Sequence, residues 1–450
     1  MRVSAHGSFI MLEKTIEISK GKLNFHIINT NKFKMSRLSF NFILPADKIN
    51  SPKTKLMLSV MMRGSKSYPT ISALNKRLDE LYCATVSSNA TSIGANHIFK
   101  ISCEMISNKY RFKDDKTDIL QSVADFVLDI IFNPLTDERG LLRESYIESE
   151  KKIAIDAIRA KINDQKAYAS ELCKKNMLVD DPSGISVSGS EEIINSFTAK
   201  DLTENIEWFL ENSIVECYYI GDGDGEVIAE RVGNAFAKHT EKKTSQICCE
   251  RAFKSANGEN EKEICEKMKI MQGRLNIGCS CDTVMSDDDY YSMCLFNEIF
   301  GGASVSKLFM NVREKKSLCY YCYSSYNSAN GTLMISCGIK PENKDEALNE
   351  IKKQLLDMKE GIFSDEDIAS AKKTTVSGLK QVSDSPSAIE AFKFRRFLAG
   401  VCEDNQECAK KIRNVTREQI IAVAKKVKID TIYFLSGEET DIYEEECENE

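Results

Sequence analysis

Apolar residues recur three and four positions apart in TDILQSVADFVLDIIF (117–132) and in DEALNEIKKQLLDMK (345–359), which predicts amphipathic helices. IFKISCEMI (98–106) and TLMISCGI (332–339) alternate or run apolar over strand length and read as strands. SIVECYYIGDGDGE (213–226) is a strand that closes on a turn-rich cluster. Three helices open on a capping residue followed by an acid or amide: SDEDIASAKK from Ser364, TAKDLTENIEWFL from Thr198 and TREQIIAVAKKV from Thr416. The last two read as matching closing helices of two domains.

The two halves of the chain repeat. Leu74, Leu78 and Glu80 map onto Leu308, Val312 and Glu314 at one offset (308 − 74 = 234), and the same offset carries Ile101–Cys103 onto Ile335–Cys337. SEKK at Ser149 resembles SAKK at Ser370. One order of helix, strand and helix at one spacing indicates a duplicated domain. The polar stretch 240–262 reads as the linker, giving domains at 1–239 and 263–450, and the acidic end of the chain reads as a tail.

At 450 residues the chain is long enough for two cores. A net charge of −7 does not favour nucleic acid as a partner, and no apolar run approaches bilayer length, so no membrane partner is expected. The N-terminal MRVSAHGSFIMLEKT has no sustained apolar core, and a cytoplasmic protein is expected. Sixteen cysteines follow no regular framework and are expected as thiols. Cys319 and Cys322 have redox or zinc spacing, yet no second C-x-x-C exists, and aromatic residues between them suit core thiols better.

RGSKSYP (63–69), RESYIESEKKIAIDAI (143–158), VDDPSGISVSGSEEIINSFTAKDL (179–202), IFGGASVSKLFMNVREKKSLCYYCYSS (299–325) and MKEGIFSDEDIASAKK (358–373) stand in one order along nearly the whole chain. Together they resemble the pitrilysin/insulinase family of zinc peptidases, the inverzincins. The resemblance implies an α+β fold of two similar domains, each an antiparallel sheet faced by helices.

The family's chemistry needs two imidazoles four residues apart on one helix face, a carboxylate beside the second, and a third ligand from a later helix. Anchored on Gly64, the first histidine position falls at Lys55, the glutamate at Leu58 and the second histidine at Ser59. A cation, an alkyl chain and a hydroxyl cannot hold zinc. Glu148 matches the later ligand and is read as a remnant. The four histidines, His6, His26, His97 and His239, include no pair four apart, so no cofactor is expected in this chain.

Arg313 and Tyr320 match the Arg/Tyr pair of the family's second domain, which the resemblance places opposite the zinc to hold a substrate's backbone. A guanidinium and a phenol are suitable donors to a carbonyl or a developing oxyanion. Gly301 and Gly302 read as a flexible loop beside them. Some family members divide the labour between a zinc-bearing subunit and a similar one that lacks the motif. The resemblance therefore implies the non-catalytic, substrate-binding subunit of a heterodimeric endopeptidase. Its partner would be a zinc-bearing homologue of similar length, and its substrate a peptide. The alternative is a peptide-binding or scaffolding pseudoenzyme.

Overall fold

The computed structural model describes residues 2–6, 9–19, 22–237, 247–255 and 260–437. Much of the linker stretch and the whole acidic tail lie outside the described residues. Among the described residues, no helix is long and apolar enough to cross a membrane.

Two compact units are present. One takes the described parts of Met1–Arg159, Ile185–Cys249 and Gln381–Leu398; the other takes Ala160–Gly184, Glu250–Lys380 and Ala399–Glu450. The units are interleaved in sequence rather than being consecutive halves. The helix Gln165–Met177 packs on the sheet of the second unit, and the helix Pro386–Leu398 packs on that of the first. Each is the counterpart of the other in the repeat. The apolar stripe of a helix does not say which sheet it covers.

The first unit's sheet comprises β1 (Arg2–His6), β2 (Phe9–Ser19), β3 (Leu23–Asn29), β4 (Met35–Pro45), β5 (Thr85–Ile93), β6 (Asn96–Ile106) and β7 (Ile214–Gly221), in the order β1-β2-β3-β7-β4-β6-β5. The second comprises β8 (Lys262–Met268), β9 (Gly273–Ser280), β10 (Cys319–Asn327), β11 (Thr332–Ile339) and β12 (Lys428–Gly437), in the order β10-β11-β9-β12-β8. Read from the other edge, β8-β12-β9-β11-β10 reproduces β3-β7-β4-β6-β5. The directions agree as well: β3–β7 and β8–β12 are the parallel pairs, and every other neighbour is antiparallel. The duplication seen in the sequence is thus a duplication of topology.

Local chemistry places the ends of the helices. Thr198 and Asp201 close a reciprocal capping box, as do Thr416 and Gln419. Ser364 and Asp367 exchange the same two bonds at 2.8 and 3.0 Å. All eight residues of β7 are buried, because helices cover both faces of its sheet. The inner face joins Phe40, Phe42, Phe99 and Val215 to the helices Asn50–Met61, Ile119–Phe132 and Ala199–Asn212. The outer face packs Ile28, Ile43, Tyr218 and Ile220 against Ile389, Phe394 and Leu398.

Candidate functional site

The helix Asn50–Met61 carries the positions where the family motif would stand. Leu56, Met57, Leu58, Val60 and Met61 are buried in the core of the first unit. Leu58, at the carboxylate position, is only 4% exposed. Lys55 donates from Nζ to Ser188 Oγ at 2.7 Å. Ser59 Oγ turns back on its own helix and donates to the Lys55 carbonyl at 3.2 Å. Ser188 belongs to a loop that lies close on this helix: a Cβ added at Gly189, whose φ is +67°, would stand 2.8 Å from Pro52 Cβ. The three positions are therefore engaged in packing and hydrogen bonding of their own.

Glu148, on the helix Glu144–Ala160, is exposed and pairs with Lys151 one turn on, at 3.0 Å. Its neighbour Glu150 turns inward instead and binds Arg63, just beyond the end of the first helix. His97 is fully buried and satisfied, with Nδ1 2.6 Å from Ser51 Oγ and Nε2 3.1 Å from the Ile185 carbonyl. His26 lies 2.5 Å from the buried Glu216. His6 and His239 lie outside the residues whose side chains are described. Among the described residues, no three His, Cys, Asp or Glu side chains are grouped to hold a metal ion. The donor set at Lys55, Leu58 and Ser59 does not fit zinc.

The second unit presents a different picture. Arg313 sits in a wide π-helical segment, Phe309–Lys315, that ends in a turn with Ser317 at φ +52°. Its guanidinium stacks over Phe309, 4.8 Å from the ring centroid, and meets Glu314 at 3.5 Å; the Arg313 side chain is 43% exposed. Tyr320 is the extra residue of a β-bulge. Cys319 faces Ile339 and Tyr321 faces Gly338, which leaves Tyr320 with no partner across the ladder. It is 57% exposed. The Arg313 charge reaches Cys319, the residue before Tyr320. The segment Phe309–Lys315 packs against β10, and the Arg313 and Tyr320 side chains both reach solvent.

Gly301 and Gly302 do not form an open loop. They end a π-helical turn, Glu298–Gly302, and Gly301 is buried. A Cβ at Gly301 would lie 2.6 Å from the backbone nitrogen of Ser324 on β10. Gly301 is small because the turn presses on the strand that carries Tyr320, not because the backbone must bend. The cleft beside Phe309–Lys315, about 520 Å³, is lined by Lys307, Lys315, Lys316, Glu350 and Asp357 and includes neither Arg313 nor Tyr320. The sequence did not reveal the bulge. The register centred on the hairpin turn 328–331 pairs Cys322 with Cys337 and would pair Tyr320 with Ile339; only the strand pairing itself shows the slip to Cys319.

Comparison with known proteins bears on the family and the fold. Residues 196–375 match the family profile described as Peptidase M16 inactive domain. The chain belongs to the M16 peptidase family, the inverzincin family that its motifs resemble. It is 32% identical over 419 residues, 93% of this chain and 97% of the other, to the probable inactive metalloprotease YmfF of Bacillus subtilis. A crystal structure of a conserved protein from Enterococcus faecalis matches with a TM-score of 0.85 at 26% identity, over 95% of this chain and 99% of that one. The crystal structure of a peptidase M16 inactive domain from Pseudomonas fluorescens shares the fold, with a TM-score of 0.75 at 16% identity over 95% and 98% of the two chains. The chain is thus an M16 family member without the family's zinc motif.

Proposed function

We propose that this chain is the non-catalytic, substrate-binding subunit of a heterodimeric zinc-dependent endopeptidase that processes peptides or precursor segments in the cytoplasm. The observation that carries the reading is a contrast between its two units. Where the family places its metal, the side chains are turned to packing, and Leu58 is buried. Where the family places its substrate donors, Arg313 and Tyr320 stay exposed. The name of the Bacillus subtilis relative, a probable inactive metalloprotease, supports the absence of hydrolysis by the chain alone.

In this reading the partner is a homologous chain of similar length that carries H-x-x-E-H and the zinc. That metal supplies the activated water. Arg313 and Tyr320 hold the backbone of an extended peptide and donate to the carbonyl oxygen as charge develops on it. The test is to co-express this chain with such a homologue, follow association by gel filtration, and assay peptide cleavage. Cleavage by the pair and by neither chain alone is expected. A zinc-bearing homologue that associates but cleaves at the same rate without this chain would overturn the proposal and leave a scaffolding or peptide-binding role.

A further inference from the structure

The bulge at Tyr320 also rearranges three cysteines. Along a regular strand, Cys319 and Cys322 would point to opposite faces, being three residues apart. The extra residue between them reverses that parity. Cys319 then faces Ile339 while Cys322 faces Cys337, and positions 337 and 339 share one face of β11. The register thus brings all three thiols to one face of the β10–β11 hairpin. Cys322 and Cys337 are sealed, at 4% and 1% exposure, whereas Cys319 is only partly buried and reaches solvent.

The chemistry of the three is unequal. Hydrogen bonds from Cys322 and then from Cys337 hold the Cys319 thiol well below the usual thiol range. Burial opposes this, and the Arg313 charge adds to it. The two donors keep their protons and are pushed up, in each case first by the bond to Cys319. The accessible thiol is thus the acidic member of the cluster, and the two sealed thiols are the weaker acids.

We propose that Cys319 is a redox modification site that reacts with hydroperoxides, with Cys322 or Cys337 as the resolving thiol. The Cys319 sulfur attacks one peroxide oxygen; the S–O bond forms, the O–O bond breaks, and the leaving alkoxide or hydroxide takes a proton from water. Cys319 is oxidised to the sulfenic acid and the peroxide is reduced to an alcohol, or to water from hydrogen peroxide. The neighbouring thiol then attacks the sulfenic sulfur. An S–S bond forms, the S–O bond breaks, and water leaves with the thiol proton. This chemistry needs neither zinc nor a partner subunit. Its product ties down the bulge that presents Tyr320.

The test uses the full chain. At pH 6, iodoacetamide should label Cys319 about tenfold faster than the exposed Cys83 and Cys402, as a low-pKa thiol does. Dilute hydrogen peroxide followed by peptide mapping should give a disulfide from Cys319 to Cys322 or Cys337. In the Cys322→Ala, Cys337→Ala chain, with its fold checked by circular dichroism, dimedone should trap the sulfenic acid on Cys319, formed more slowly than in the wild type because the two neighbouring thiols are gone. Labelling of wild-type Cys319 no faster than that of Cys83 and Cys402 overturns the proposal without reference to any variant. A wild-type Cys319 that stops at the sulfenic acid overturns the resolving role of its neighbours.

Discussion

Glu390, on the helix Pro386–Leu398, is fully buried, and its Oε2 accepts a hydrogen bond from Arg37 Nε on β4 at 2.6 Å. Oε1 accepts from Ser39 Oγ at 2.6 Å and from Asn41 Nδ2 at 3.0 Å, and Lys100 on β6 stands 2.7 Å away. One carboxylate from late in the chain therefore neutralises two cations on an early sheet. Burial pushes its pKa up, but the charges of Lys100 and Arg37 outweigh burial and hold it below the ordinary glutamate range.

Removing this carboxylate leaves the buried Arg37 with Glu104 alone, at 2.8 Å, and takes the ion pair from the largely buried Lys100. Glu390→Ala should cost about 3–5 kcal/mol, read from urea unfolding. Because the folded pKa is depressed, the contribution is present above the unfolded value and lost as pH falls through the folded one. The gap between wild type and Glu390→Gln should therefore narrow below about pH 4.3, the ordinary glutamate value. A gap that widens on acidification would show that the carboxyl is protonated in the fold.

Restoring the motif should fail. Lys55→His, Leu58→Glu and Ser59→His together put a carboxylate where a core leucine packs, at a cost of several kcal/mol. Leu58→Ala alone should cost about 2–5 kcal/mol. Partners that orient imidazoles are also needed for tight binding. Calorimetric titration of the triple variant should show no stoichiometric zinc binding, and its melting temperature should drop. One tightly bound zinc per chain at undiminished stability would show that the helix still accommodates the site.

Two glycines should respond in opposite directions. Gly301→Ala drives a methyl group against the backbone of Ser324 and should destabilise by about 1–3 kcal/mol. Gly378, in the helix Asp365–Gln381, has nothing within 4 Å of an added Cβ. Gly378→Ala should stabilise by about 0.4–1 kcal/mol through the lost freedom of the unfolded chain. Thermal melts of the two single variants decide the matter. Equal shifts would mean that the turn at Gly301 yields without cost.

The repeat, the capping helices and the vacated motif were legible because each is written locally: a period, a Ser or Thr followed three residues on by its partner, or a residue type at a spacing. The duplication even fixed equivalent strands, since Ile101–Cys103 and Ile335–Cys337 lie on β6 and β11 at the same place in each sheet. What was not legible depends on pairing at a distance. The exchange of Gln165–Met177 and Pro386–Leu398 between sheets leaves the helical period unchanged. The bulge at Tyr320 is a mismatch between two strands and is visible on neither alone. The glycines 301 and 302 suggest a bend, whereas the reason for Gly301 is Ser324, a residue on another element.

The exposure of Arg313 and Tyr320 gives the final prediction its force. Neither side chain is part of a core, and the bulge leaves Tyr320 outside the ladder. Substitution should therefore leave folding and association intact, and any effect must come from contacts with substrate. In the reconstituted pair, Arg313→Ala should lower kcat/KM by about 10²–10³-fold, the scale of losing one oxyanion donor. Tyr320→Phe keeps the ring and deletes only the hydroxyl, so a drop in kcat would isolate the donor and not the packing. Substrate held equally in ground and transition states would instead raise KM with kcat unchanged. Gel filtration of each variant with the partner checks that assembly survives. Wild-type rates from both variants would remove the donors from the mechanism, leaving the scaffolding role for the chain.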